Sequence, residues 1–101
     1  MQPAVEIQAA TLKLRPVLDL TAAAPLKEEF GALRGKAICV DATDVDRVGA
    51  LCLQVLMSAH STWTSDGVPF SLGGTSPAFE EGLETLGASF LLFSIPRECV
   101  R

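Results

Sequence analysis

Ala37-Ile38-Cys39-Val40-Asp41, with the polar loop from Asp41 to Arg47 that follows it, decides the fold. Four apolar residues in succession, closing on an acid, suit a strand buried on both faces, the kind found at the centre of a parallel sheet. Beyond the loop the apolar spacing turns helical from about Val48 to Thr64, and Asp66-Gly67 ends that helix. Val48, Leu51, Cys52, Val55, Leu56, Ala59 and Trp63 share one broad face, which is core. Leu53, Met57 and His60 form a second stripe at spacings of four and three, and a helix apolar on two sides needs a second neighbour.

The same strand-then-helix pattern extends in both directions from this centre. Upstream, Ala22 to Leu33 is rich in Ala, Leu, Lys and Glu, with Thr21 as its cap and Gly35 as its stop. Val5 to Leu20 alternates in places and contains Pro16, which predicts a hairpin or a bent strand at the sheet edge. Downstream, Val68-Pro69-Phe70-Ser71-Leu72 is a short strand ending at Gly73-Gly74. Ser76-Pro77 then caps a third helix that buries Phe79, Leu83 and Leu86 and closes at Gly87. Ser89 to Phe93 is predicted as a final strand. The alternation gives one α/β domain over residues 1–101, a small mixed β-sheet of four to five strands with about three helices packed on it. In open α/β sheets binding sites favour the carboxyl ends of the strands, so function is sought in the loop from Asp41 to Gly49.

Composition narrows the partners. Among 101 residues, 12 acids face 8 bases, a formal charge of −4, which argues against a protein that holds a phosphate backbone. Nucleic acid is therefore not an expected partner. A hydrophobic fraction of 49% excludes intrinsic disorder. Three widely spaced cysteines, Cys39, Cys52 and Cys99, signal neither a disulfide framework nor a zinc site, and Cys39 and Cys52 read as small core hydrophobes. No basic residue precedes Lys13 and no continuous apolar stretch lies there, so export is not expected. The uncharged window from Val48 to Ser65 is striped, which fits a soluble helix and no membrane insertion. A cytoplasmic location is the expectation.

The residues that could carry chemistry are few. Asp41, Asp44 and Asp46 lie close enough in sequence to suggest a divalent ion, but acidic loops that cap helices are common, and Asp46 reads as a cap for the long helix. No lysine follows Lys36, which removes the strand-end lysine of a phosphorylatable receiver. His60, the single histidine, sits well inside a helix without a base-and-nucleophile arrangement. Gly73-Gly74 fits no phosphate-loop spacing and reads as a tight strand-to-helix turn. No catalytic residue, metal or cofactor is expected, and the protein is not read as an enzyme.

At this point the chain resembles a STAS domain, the fold of bacterial anti-sigma-factor antagonists, of a subunit of lipid-transport ABC systems and of the cytoplasmic tails of sulfate transporters. Pro16-Val17-Leu18-Asp19-Leu20-Thr21-Ala22-Ala23 resembles the family's early Gly-x-Leu-Asp segment and the small residues after it. Ala37 to Asp41 resembles its central strand, Asp46-Arg47-Val48-Gly49-Ala50-Leu51 its Asp-Ser-Ser-Gly-Leu-Gly segment, and Gly67 to Leu72 its next strand.

The resemblance implies a non-enzymatic protein-interaction module in bacterial signalling, of the anti-sigma or chemotaxis-associated kind. In regulated antagonists the residue before that glycine is a phosphorylated Ser or Thr, and here it is Val48, which cannot accept phosphate. The resemblance thus implies constitutive binding through Thr43, Asp44, Asp46, Val48 and Gly49, and the second apolar stripe of the long helix adds Leu53 and Met57 as residues touching the partner. Thr43 is the nearest hydroxyl. The implied partner is an anti-sigma or histidine-kinase-like protein, or else the ATPase of a lipid-transport complex. A homodimer completed by the apolar chain end is a further alternative, as is a sensor of a small ligand or nucleotide.

Overall fold

The computed structural model describes residues 10–97. In chain order its elements are β1 (Ala10–Lys13), β2 (Val17–Leu18), α1 (Leu20–Ala32), β3 (Ile38–Ala42), β4 (Arg47–Val48), α2 (Ala50–Asp66), β5 (Phe70–Thr75), α3 (Pro77–Thr85) and α4 (Leu91–Ser94). The predicted central strand is β3, and it lies between β1 and β5 in a parallel three-stranded sheet. Ile38, Val40 and Ala42 have no exposed surface, while Cys39 on the opposite face is 9% exposed. Cys39 is disulfide-bonded, which the sequence spacing did not signal.

Each parallel neighbour has to be reached by a crossover. One crossover carries β2 and α1, the other β4 and α2, and β2 pairs with β4 as a second, two-stranded parallel sheet. Phe30 of α1, Trp63 of α2 and Phe70 of β5 meet with ring centroids 5.8–6.0 Å apart. The Trp63 indole N–H donates to the Lys36 carbonyl at 2.7 Å, so the one polar atom of this buried ring is satisfied.

Four expectations need correction. There is no hairpin within the described part of the first segment: β1 and β2 do not pair with each other, and each takes a later strand as its neighbour. Residues 5–9 of that segment lie outside the described residues. α1 begins two residues earlier than predicted, with Asp19 as its cap, since the Asp19 carboxylate accepts from the Thr21 N–H at 3.0 Å. Gly73 and Gly74 lie inside β5 and do not form a turn. The register skips from Val40↔Leu72 to Asp41↔Gly74, leaving Gly73 as the extra residue of a bulge. A side chain at Gly74 would meet the Thr43 methyl at 2.4 Å.

The final predicted strand is a helical turn, α4. Gly87, at φ 75°, ends α3 in the left-handed conformation, and the following residues bury Leu91 and Ile95, four apart. Phe90 and Phe93 are 50% and 86% exposed, a helical rather than an alternating pattern. The chain then reaches the free edge of β5 through one bond, from the Leu72 N–H to the Pro96 carbonyl at 2.7 Å.

Gly82 stands inside α3, where alanine is ordinarily favoured by about 1 kcal/mol. Here an added Cβ would come within 2.2 Å of a Val48 methyl on β4. Overpacking against a stiff β-branched side chain costs about 1–3 kcal/mol. Gly82→Ala is therefore expected to lower stability by about 1 kcal/mol net, and Val48→Ala in the same chain to recover part of the loss. Urea midpoints of the two single variants and the double variant measure that coupling.

Candidate functional site

The carboxyl ends of the parallel strands carry the loops joining β1 to β2, β3 to β4 and β5 to α3. The loop from Thr43 to Gly49 is the longest polar element among them and is held by a series of local bonds. As β3 ends, the Asp41 carboxylate accepts from both the N–H and the hydroxyl of Thr43, at 3.0 and 2.6 Å. These bonds, the hydroxyl first, hold the Asp41 carboxyl below the usual carboxylate range. Asp44 pairs with Lys13 at the end of β1, 2.9 Å apart, with both side chains exposed. Val45 is 1% exposed and anchors the loop in the core, and its carbonyl accepts the hydroxyl of Ser76.

Ser76 does two tasks. Its oxygen also accepts from the Phe79 N–H at 3.0 Å, capping α3 as predicted, so the α3 terminus and the loop are tied together through one side chain. Asp46 and Arg47 both donate their N–H groups to the Pro16 carbonyl, which begins the β2–β4 pairing. Gly49 donates to the Leu18 carbonyl at 2.8 Å, and a Cβ there would sit 3.1 Å from the same oxygen. That close approach explains a glycine at the start of α2.

Gly49, and not Asp46, is the cap of α2, in contrast to the sequence reading. No side chain caps this helix, and its first turn has no acid. Asp46 is exposed four residues before the helix, immediately ahead of β4. Val48 is half-buried, packed against the core and under Gly82 of α3.

The structure brings Thr43, Asp44, Asp46, Val48 and Gly49 together on one loop and places Met57, 37% exposed, two turns along α2. Leu53 departs from this group. It is 5% exposed and belongs to the core, because the buried arc of α2 spans Cys52, Leu53, Leu56, Ala59 and Trp63. Leu51, predicted as core, is instead 44% exposed. The buried arc is thus turned toward Leu53 and away from Leu51. Sequence reasoning missed Lys13, Ser76 and Gly82 as neighbours of the loop. A glycine in mid-helix with no turn to explain it was the one available signal.

Asp41 and Asp44 are each committed to a neighbour, and among the described residues no group of three or more His, Cys, Asp or Glu could hold a metal ion. Gly74 is filled by the Thr43 methyl, which removes the faint support the glycine pair lent to a ligand-sensing loop. No helix among the described residues is long and apolar enough to cross a membrane.

A family model described as "Mlab, STAS domain" matches residues 1–92. The chain belongs to the STAS domain family. No curated protein and no solved structure matches it. The α/β arrangement of parallel strands and helices is that of a STAS-like fold, and STAS domains are generally non-enzymatic regulatory modules.

Asp19 resembles Asp41 in its chemistry: the Thr21 hydroxyl, and then backbone N–H groups, hold its carboxyl low. A carboxyl whose folded pKa is depressed contributes stability that is present above its unfolded value of about 3.9 and is lost as pH falls through the folded value. Unfolding midpoints in urea are therefore expected to fall as the pH drops below about 4. In the Asp19→Asn/Asp41→Asn variant that acid limb flattens, because the amide oxygens still accept but no longer titrate. A limb as steep as the wild type's contradicts the assignment.

Proposed function

We propose that this STAS domain is a non-enzymatic protein-interaction module of bacterial signalling that captures its partner without a phosphorylation switch. The contact surface is the loop from Thr43 to Gly49, the start of α2 at Ala50 and, further along the same helix, Met57. Val48 carries the reading. It stands immediately before the helix-initiating glycine, where the regulated members of the family have Ser or Thr, and its side chain has no hydroxyl. It packs under α3, so it shapes the loop and offers no group to a kinase.

Thr43 does not serve as a replacement acceptor in this reading. Its hydroxyl is donated to Asp41, and phosphate there would face a carboxylate already in contact. The uncapped start of α2 suits a partner that brings hydrogen-bond acceptors to its N–H groups.

Val48→Asp places a negative charge where phosphate would stand, and Ala50→Asp does so at an exposed neighbouring position. Both are expected to reduce recovery of the partner in a tagged pulldown by about tenfold, whereas Val48→Thr retains the side-chain shape and retains capture. Mass spectrometry identifies what is held. A sigma-regulating or chemotaxis kinase establishes the signalling role, and a transport ATPase assigns the same surface to a lipid-transport complex. Capture indifferent to both aspartates removes the loop from the interface.

A further inference from the structure

α1 and α2 run side by side in the same direction. At their starts the Cys52 thiol donates to the Asp19 carbonyl at 3.3 Å, and at their ends Arg34 holds Asp66 through two bonds of 3.0 and 3.3 Å. Between these two ties the helices do not fill the space between them. They leave an open groove of about 420 Å³, because Ala23, Gly31, Ser58 and Ala59 stand where larger side chains would close it. Its aromatic end is made by Phe30 and Trp63.

The lining is ordered in rows. Leu51, Val55, Ala59 and Trp63 recur every four residues as an apolar row, exposed at Leu51, partly open at Val55 and buried at Ala59 and Trp63, which form its floor, and Gln54, Ser58 and Thr62 form a neutral, hydrogen-bonding ridge beside it. On the α1 side the polar groups are Lys27 and Arg34, both cations. No acid lines the groove, although acids outnumber bases 12 to 8 in the chain. Arg34 is partly offset by Asp66, whereas Lys27 is exposed and has no ion-pair partner among the described residues. The lined stretches, Ala23 to Arg34 along α1 and just beyond its end and Leu51 to Trp63 within α2, each extend about 17 Å, the length of three helical turns.

We propose that this groove docks an amphipathic helix of a protein partner, its apolar face on the α2 ridge and acidic residues along the flank that faces Lys27 and Arg34. The charge pattern selects the occupant. A helix with basic flanks would meet Lys27, unpaired among the described residues, and an Arg34 only partly offset by Asp66, and one without an apolar face would leave Leu51 and Val55, the accessible part of the ridge, uncovered. This surface lies along the middle of the two helices, and Lys27 and Ser58 are outside the loop assigned to partner capture above.

The probe is a synthetic helical peptide of about 18 residues, with leucines on one face and glutamates on the flanks. One control peptide carries lysine for glutamate, another serine for leucine. Titration calorimetry gives affinity, and Trp63, the single tryptophan, reports occupancy by its fluorescence. The glutamate peptide is expected to bind and shift the Trp63 emission, with both controls weaker by about tenfold or more.

Lys27→Glu and Ser58→Phe change exposed positions, so their melting temperatures should stay near wild type. Each is expected to weaken the glutamate peptide about tenfold, the first by charge and the second by filling the groove. Ala50→Asp should leave peptide binding intact, which separates this site from the loop. Absence of binding, equal affinity for the glutamate and lysine peptides, or indifference to both variants overturns the proposal.

Discussion

The structure depends on one constraint: β3 has both backbone edges paired and Ile38, Val40 and Ala42 wholly withdrawn from water. A buried strand cannot leave its N–H and C=O groups unpaired without a cost comparable to a lost hydrogen bond for each. Parallel neighbours meet that demand only if the chain returns to the same end before each new strand. The returns are α1 and α2, and their apolar faces cover the sheet through Phe30 and Trp63. The helices are therefore a consequence of how β3 is satisfied, and so is the gathering of the strand-end loops at one end.

The second sheet arises from the same geometry on a smaller scale. Two loops brought to one end by two crossovers lie side by side, and they pair as β2 and β4 over two residues each. That short pairing has a large effect on the site. It fixes Gly49 against the Leu18 carbonyl, sets where α2 begins, and brings Val48 beneath α3. Ser76 then joins the third strand-end loop to the same place by bonding the Val45 carbonyl. The proposed contact surface is a polar loop on a rigid seat: its exposed groups, Asp44, Asp46 and Arg47, stand on the buried anchors Val45 and Leu18. Such a loop presents a shape to a partner at little ordering cost.

The two proposed surfaces use α2 differently. At its start the helix offers backbone N–H groups and the loop beside them, whereas along its middle it offers one apolar ridge and one neutral ridge to the gap beside α1. Both are possible because α2 buries only one arc, from Cys52 round to Leu53, against the sheet. Small residues on α1 then keep the other side from closing.

The α/β class, the central strand, the long helix and its end at Gly67, and the Ser76 cap of α3 are all legible in the sequence. Each is written in local chemistry: a short apolar run, a helical period, a left-handed glycine, a hydroxyl before proline. It also located the loop before Gly49, since the order of motifs along the chain places that loop after the central strand. What it left open were the relations between distant segments. Whether β1 turns back on β2 or pairs with β3, whether Leu53 or Leu51 faces the core, and whether the last apolar residues make a strand or a turn all depend on which neighbour is present to cover them. Leu53 and Leu51 are equally apolar, and only the angle at which α2 meets the sheet distinguishes them. The same holds for Gly82, whose reason is a Val48 methyl 34 positions away, and for the α1–α2 groove, which exists only once two small-residue stripes are set opposite each other. Local propensity is a property of a few consecutive residues, whereas burial and close approach are properties of pairs that only the folded chain brings together.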